Sequence, residues 1–308
     1  MDIKITEQYA GRTLLSYLKF TLKISSSCIT KLKQDAHGLE VNGEHVTVRY
    51  ILCEGDTLHV NIDDSFELTN QSIAPVDLPV DIIYEDTDIL IVNKPPFMPT
   101  HPSHNHHEDT LANAVAYLYQ RRGLPFVFRP VGRLDKNTSG IVTLAKHMPA
   151  AAHFAREREK NAVRKSYIAI LCKEISEDGG VIDTPLRRQA DSVIIRTVCN
   201  GSDDGAMTAR TSWERLYTGH GISLVRAYPE TGRTHQIRVH FSSIGHPLLS
   251  DDLYGVESEY IGRHALHAYT LEFPVMFTDK RVSVCAPVPT DMKDAFFKIT
   301  GEDISLYL

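Results

Sequence analysis

Apolar positions follow two rhythms along this chain. Leu14, Leu15, Leu18 and Leu22 recur at helical spacing, which predicts an amphipathic first helix. Ser25 to Ser27 offer capping hydroxyls for a second short helix carrying Ile29 and Leu32. The pattern then alternates from Leu39 to Val46 and turns at Asn42-Gly43, a strong hairpin signal, and Gly55-Asp56 opens a strand from Leu58 to Ile62. After a polar, acidic stretch with Pro75 and Pro79, two apolar runs, Val80 to Tyr84 and Ile89 to Val92, flank Glu85-Asp86-Thr87-Asp88. That connection is too short to hold a helix, so the pair is expected to be a β-hairpin.

Farther along, helical patterns cover Leu111 to Arg122 and Pro149 to Lys160. Strands are expected at Ile141 to Ala145, Ser166 to Cys172, Thr211 to Tyr217, Ile222 to Tyr228, Ala265 to Phe273 and Val282 to Ala286, with a last helix from Asp291. Ser176 to Gly205 reads as a polar excursion. Many strands, short turns and few helices indicate an α+β chain built on a mixed, mostly antiparallel sheet. The expected division is a small α+β module at 1–62, a linker at 63–79 and a second domain at 80–308.

Composition bounds this picture. A chain of 308 residues can hold two domains, and 42% hydrophobic with 23% charged is ordinary for a globular protein. The first residues lack the basic and apolar regions of a signal peptide, and no apolar run is long enough to span a bilayer. The five cysteines are scattered, with no Cys-x-x-Cys pair, so a reducing, cytoplasmic setting is expected. The net charge is −6, yet its distribution is segregated. Ile51 to Asn93 holds ten acids and no Lys or Arg; Tyr119 to Lys165 holds eleven Lys or Arg and three acids. Such segregation suits a basic face for a polyanion on a protein kept soluble by acid elsewhere.

Three stretches carry candidate chemistry. In Gly132-Arg133-Leu134-Asp135-Lys136-Asn137-Thr138-Ser139-Gly140, one carboxylate lies on a polar turn leading into a strand, where a nucleophile or general base is held yet accessible. An ordinary Asx-turn would look the same. In Glu230-Thr231-Gly232-Arg233-Thr234-His235-Gln236-Ile237-Arg238-Val239-His240, Ile237 and Phe241 share a helix face, and Arg238 points elsewhere, able to reach a buried carboxylate. Tyr167 heads an apolar strand after Lys165-Ser166. The loop with His101, His104, His106 and His107 comes near the spacing of some dinuclear zinc hydrolases. It fails where Asp then His is needed, because Glu108 and Asp109 stand there.

These stretches, with Gly-His-Pro-Leu-Leu-Ser-Asp-Asp-Leu-Tyr-Gly at 245–255 and Ala265-Leu266-His267-Ala268, occur in the order and spacing of the RluA-type pseudouridine synthases, which the chain resembles from about Val80 to Pro289. Gly132 stands where that family usually has His. The resemblance implies that Asp135 is the catalytic aspartate, able to attack either the sugar or the base, Tyr167 the tyrosine that stacks on the target base and can take part in proton transfer, and Arg238 the aspartate's partner. It implies that Arg133 enters the space left by the flipped nucleotide and that Leu266 packs in the pocket. The basic residues from Arg121 to Lys165 are expected to hold RNA phosphates, with Lys165 and Thr138 among the substrate-binding residues. No cofactor and no metal are expected. Residues 1–62 partly resemble the small RNA-binding module named after ribosomal protein S-four, although Lys19, Lys23, Lys31 and Lys33 are fewer basic residues than usual. The expected function is isomerisation of uridines in RNA, ribosomal RNA favoured and transfer RNA possible, by a monomer independent of membranes. The rival readings are an inactive RNA-binding or assembly factor and a metal-dependent hydrolase.

Overall fold

The computed structural model describes residues 1–61, 69–70, 72–276, 278 and 280–308. Ile62, taken above as the end of a strand, and residues 63–68 and 71 of the acidic stretch lie outside them.

The first elements are β1 (Asp2–Lys4), α1 (Leu14–Ser16), which runs on as a wider π turn over Tyr17–Thr21, and α2 (Ser26–Gln34). Strands β2 (Leu39–Val41), β3 (Glu44–His45) and β4 (Thr57–Val60) follow. Thr13 and Ser25 cap the two helices by accepting from the amides of Ser16 and Cys28. Asn42 and Gly43 both adopt positive φ, 53° and 85°, as a two-residue turn between right-twisted strands requires. The strands pair antiparallel in the order β1-β4-β2-β3. Leu14, Leu18 and Leu22 are buried with Ile29, Leu32, Leu39 and Leu58 in a core of their own. Leu15 departs from the expectation and is 36% exposed, because one residue's rotation carries it off the i, i+4, i+8 stripe of the other three.

The second sheet begins with the expected hairpin, β5 (Asp81–Glu85) and β6 (Ile89–Lys94), whose turn is closed by Asp86 accepting from the amides of Asp88 and Ile89. Then come α3 (Leu111–Arg121), β7 (Ser139–Ala145), α4 (Met148–Glu159), β8 (Arg164–Cys172), β9 (Gly179–Asp183), β10 (Leu186–Arg188) and β11 (Arg196–Val198). The remainder is β12 (Arg210–Gly219), β13 (Ile222–Pro229), α5 (Gln236–Ser243), β14 (Leu266–Pro274), β15 (Arg281–Cys285) and α6 (Thr290–Thr300). The nine-stranded sheet runs β5-β6-β7-β14-β8-β13-β12-β9, with β15 on β14. Every pairing in it is antiparallel except β7 with β14. The α+β, mostly antiparallel reading of the sequence therefore holds.

The polar stretch 176–205 is more ordered than its composition suggested. It contains edge strand β9, paired to β12, and the hairpin β10–β11. Its signal is weak because only Ile182 of β9 is buried, and Gly180 lies flat against the Trp213 indole, leaving no apolar alternation to read.

For function, the decisive feature is the central trio β7-β14-β8. Chain segments about a hundred residues apart in sequence become neighbours there: the turn before β7 carries Asp135, β8 carries Tyr167 and β14 begins at Leu266. Helix α5 buries Ile237 and Phe241 with Leu248 and Trp213, which leaves Arg238 on the face toward the same end of the sheet.

Candidate active site

A cavity of about 670 Å³ opens at that end, lined by Asp135, Tyr167, Lys165, Arg238, His235 and Leu266 among others. Its floor is the turn from Leu134 to Ser139, and four consecutive carbonyls of that turn are held. Thr100 Oγ1 donates to Leu134 O at 3.1 Å, and the Thr138 amide to Asp135 O at 3.1 Å. Lys94 Nζ donates to Lys136 O at 3.1 Å, and Arg263 donates to Asn137 O at 2.9 Å. Lys94 is wholly buried, and its other bonds go to Pro95 O and Met98 O. Burial, then the nearby Arg263 charge, pushes its pKa down to about 7.

Arg263 ties this floor to the C-terminal helix. It forms two hydrogen bonds with Asp291 in α6, at 2.7 and 3.0 Å, and reaches Ser139 Oγ at 3.2 Å. Ser139 Oγ, accepting there, donates to His267 Nδ1 at 2.9 Å, and His267 Nε2 donates to Ala286 O. Thr138 Oγ1 is bonded to His264 Nε2 at 2.8 Å. Burial drives the pKa of His264 to about 3 and of His267 to about 4, so both are neutral near pH 7. Gly140 closes the turn at φ 107°, and a Cβ there would lie 2.2 Å from Ala268 O on β14.

On this floor the Asp135 side chain is 28% exposed. Arg238 Nη1 approaches Asp135 Oδ2 at 3.8 Å, and His235 Nε2 approaches Oδ1 at 3.9 Å. The pairing expected between Arg238 and Asp135 is present but is the loosest that Arg238 makes. Asp251 takes two hydrogen bonds from it at 2.8 and 2.7 Å, and Asp252 takes one at 2.8 Å. Burial works against the Arg238 charge, but Asp251, Asp135 and Asp252 together outweigh it, so its pKa is raised. The Tyr254 ring backs the guanidinium at 5.2 Å.

The other sequence candidates fall as follows. Tyr167 lines the cavity from β8, and burial, then the Asp135 charge, pushes its phenol well above the ordinary range, so it stays protonated. Leu266 is buried at the wall, and Arg133 is exposed at the mouth. Thr138 borders the cavity, but its hydroxyl is committed to His264. Lys165 faces Gly132: a Cβ at that glycine would stand 3.1 Å from Lys165 Nζ, so the small residue leaves room for the lysine. Burial, then the Arg158 charge, lowers the Lys165 pKa to about 8.

The basic stretch needs a correction. Of its residues, Arg133, Arg158, Arg164 and Lys165 line the cavity, whereas Arg122 and Lys146 are both spent on Glu85. The histidine loop lies beside the floor: His106 bonds Asp109 at 2.6 Å and meets Lys136 Nζ at 3.2 Å. Among the described residues, no three His, Cys, Asp or Glu side chains are placed to hold a metal ion.

Sequence reasoning passed over His235, Asp251, Tyr254 and Arg263. The first three stood inside motifs already singled out, but nothing in their spacing told which neighbours they would meet. Arg263, two residues before Ala265, carried no local signal.

Comparison with known proteins shows the family. The RNA pseudouridylate synthase family matches residues 88–243. An uncharacterized RNA pseudouridine synthase of Bacillus subtilis, YjbO, is 38% identical over 286 residues, covering 93% of this chain and 96% of its own. Ribosomal large subunit pseudouridine synthase D of Zymomonas mobilis is 38% identical over 235 residues, covering 72% and 73%. Among solved structures, human RNA pseudouridylate synthase domain containing 1 is 31% identical with a TM-score of 0.54, covering 68% of this chain and 83% of its own. The chain belongs to the RNA pseudouridylate synthase family. It is accordingly an isomerase acting on RNA, of the RluA type that its motifs resemble.

Proposed function

We propose that this enzyme converts uridines of ribosomal RNA to pseudouridine with Asp135 as its nucleophile. The observation that carries the assignment is the meeting of Asp135, Arg238 and Tyr167 in one cavity, with Arg238 3.8 Å from the Asp135 carboxylate. The reaction detaches uracil at N1–C1′, turns it and rejoins it through C5, so it needs a carboxylate, a charge to steady it and a flat surface for the loose base. Arg238 supplies the charge, and the Tyr167 ring, its phenol kept protonated, supplies the surface beside Leu266. A base must leave its stack first, at a cost of a few kcal/mol, and Arg133 at the cavity mouth is suited to fill the gap. Lys165, with Arg158 and Arg164 beside it, would hold phosphate, giving salt-dependent affinity. Thr138 contributes by bordering the site and holding the turn.

Ribosomal RNA is preferred over transfer RNA because relatives are named ribosomal large subunit pseudouridine synthase D. The division into an S-four-like RNA-binding module at 1–62, a linker at 63–79 and a catalytic domain at 80–308 belongs to the same proposal. It is supported by the separate core formed by Ile5 to Val60. All five cysteines are free thiols, which suits a monomer working in the reducing cytoplasm.

The test is tritium release from total RNA labelled at uridine C5, repeated with Asp135→Ala. Release that the substitution abolishes is expected. Undiminished release from Asp135→Ala would remove Asp135 from its role. Treatment of purified ribosomal and transfer RNA separately decides between the two substrates.

A further inference from the structure

His235 is held in an unusual way for a residue with no assigned part in the reaction. Its φ is 58°, a left-handed conformation that costs a non-glycine residue energy and is kept where the surroundings over-determine it. Its side chain is only 9% exposed, yet it lines the cavity.

The hydrogen bonds around it define which ring nitrogen carries the proton. The Arg196 amide at the start of β11 donates to the Tyr254 hydroxyl at 2.9 Å, so that oxygen is already an acceptor. The same hydroxyl lies 2.8 Å from His235 Nδ1. Among the described residues its one hydrogen has no other acceptor, so donating it to Nδ1 satisfies both groups and leaves the neutral imidazole with its proton on Nε2. Burial lowers the His235 pKa against the pull of Asp135, which keeps the ring in this neutral form. Among the described residues Nε2–H finds no acceptor at hydrogen-bond distance, and the Asp135 Oδ1 beside it stands 3.9 Å away. That gap is too wide for a direct bond and leaves the donor directed at whatever occupies the space beside the carboxylate.

We propose that His235 is a further catalytic residue, its Nε2–H donating a hydrogen bond to the uracil as the base departs, and that Tyr254 is the positioning residue that fixes its tautomer. The inference rests on the reading of Asp135 given above. As an Asp135 carboxylate oxygen bonds to C1′, the N1–C1′ bond breaks, and its electron pair stays with the base and spreads from N1 to the ring carbonyl oxygens. A preorganised N–H donor facing that oxygen stabilises the charge as it develops. No proton leaves His235 in this role. As C5 bonds to C1′, the Asp135 carboxylate leaves that carbon with its electron pair; the C5 proton then passes to water and N1 takes one from water, so the donor is needed only between the two bond events. A neutral imidazole suits the task better than an imidazolium, which would pair with Asp135 and blunt it.

Two substitutions separate the donor from the fold. His235→Asn suits a left-handed backbone and can keep the Tyr254 bond, because its amide reaches only the Nδ1 position. His235→Gln carries an N–H where Nε2 stood. Single-turnover tritium release from C5-labelled total RNA, with the full chain in excess, reads the chemical step, and RNA binding is measured in parallel. The expected result is a loss of about a hundredfold in rate for His235→Asn, within about tenfold of wild type for His235→Gln, and unchanged RNA affinity in both. Tyr254→Phe keeps the ring under Arg238 but frees the tautomer. It should slow the same step and shift the His235 ring nitrogens, read by nitrogen-15 NMR, away from the protonated-Nε2 signature of wild type. A wild-type rate for a folded His235→Asn while Asp135→Ala is inactive overturns the inference and leaves the Asp135 reading standing. So does a loss confined to RNA affinity. Activity in Asp135→Ala removes that reading instead.

Discussion

Asp251 holds Arg238 in a fork, accepting at 2.8 and 2.7 Å, while its Oδ1 also accepts from the amides of Leu253 and Tyr254. Arg238 is thus aimed at Asp135 by a buried carboxylate that does not line the cavity. Removing Asp251 leaves a buried guanidinium with only Asp252 and the distant Asp135. Asp251→Ala is expected to cost about 3–5 kcal/mol of stability, as breakage of a buried ion pair does. Asp251→Asn should fold better yet lose most activity, because one neutral acceptor cannot hold the fork. Urea unfolding and tritium release check the two halves. Full activity in a folded Asp251→Asn would show that Arg238 needs no such support.

Gly140 is predicted to be irreplaceable for a backbone reason. The turn demands φ 107°, and an added Cβ would meet Ala268 O at 2.2 Å in the parallel β7–β14 pairing. Gly140→Ala should therefore push the two strands apart and lower stability by at least 1–3 kcal/mol, about the range for strained backbone. Gly132→Ala is the control: its only close neighbour is the flexible end of Lys165, so stability should change little. Thermal unfolding of the two variants, showing equal midpoints, would contradict the argument.

Local signals explain what the sequence disclosed and what it kept back. The Asn42-Gly43 and Asp86 turns were readable because a few adjacent residues define them. Asp135, Tyr167, Leu266 and Arg238 stood out because each lies in a long motif. Their meeting depends on β7, β14 and β8 being adjacent, which no window of sequence contains. The same holds for Lys94, an ordinary lysine by composition, whose burial under Lys136 O follows only from the turn folding back on β6. Charge counting misled for a related reason. Arg122 and Lys146 belong to the basic stretch in sequence, but the hairpin at Glu85 claims them.

Acid should loosen the floor of the site through its histidines. His264 and His267 have folded pKa values of about 3 and 4, below the ordinary 6.5. Between those values and 6.5 the unfolded chain binds protons that the native one refuses, so stability falls as pH drops through that window. For His267 alone the loss by pH 5 is about 2 kcal/mol. His267→Gln, which cannot titrate, should start less stable at pH 7 and lose less on the way to pH 5. Denaturant midpoints that fall in parallel for both proteins would exclude His267 as a source.

Lys165 gives the opposite pH sign, and in binding rather than stability. With a pKa of about 8 in the free enzyme, it is charged at pH 7 and mostly neutral at pH 8.5. If its ammonium holds RNA phosphate, affinity must weaken as pH rises through 8, by about fourfold between pH 7 and 8.5 for one proton. Lys165→Arg keeps a cation throughout that range. Its absolute affinity can differ, since a guanidinium meets phosphate with another geometry, but its pH slope should be nearly flat. Lys165→Met should bind more weakly at every pH, again without the slope. Filter binding of total RNA at constant ionic strength measures all three. A slope surviving in Lys165→Arg would place the titrating group elsewhere in the site.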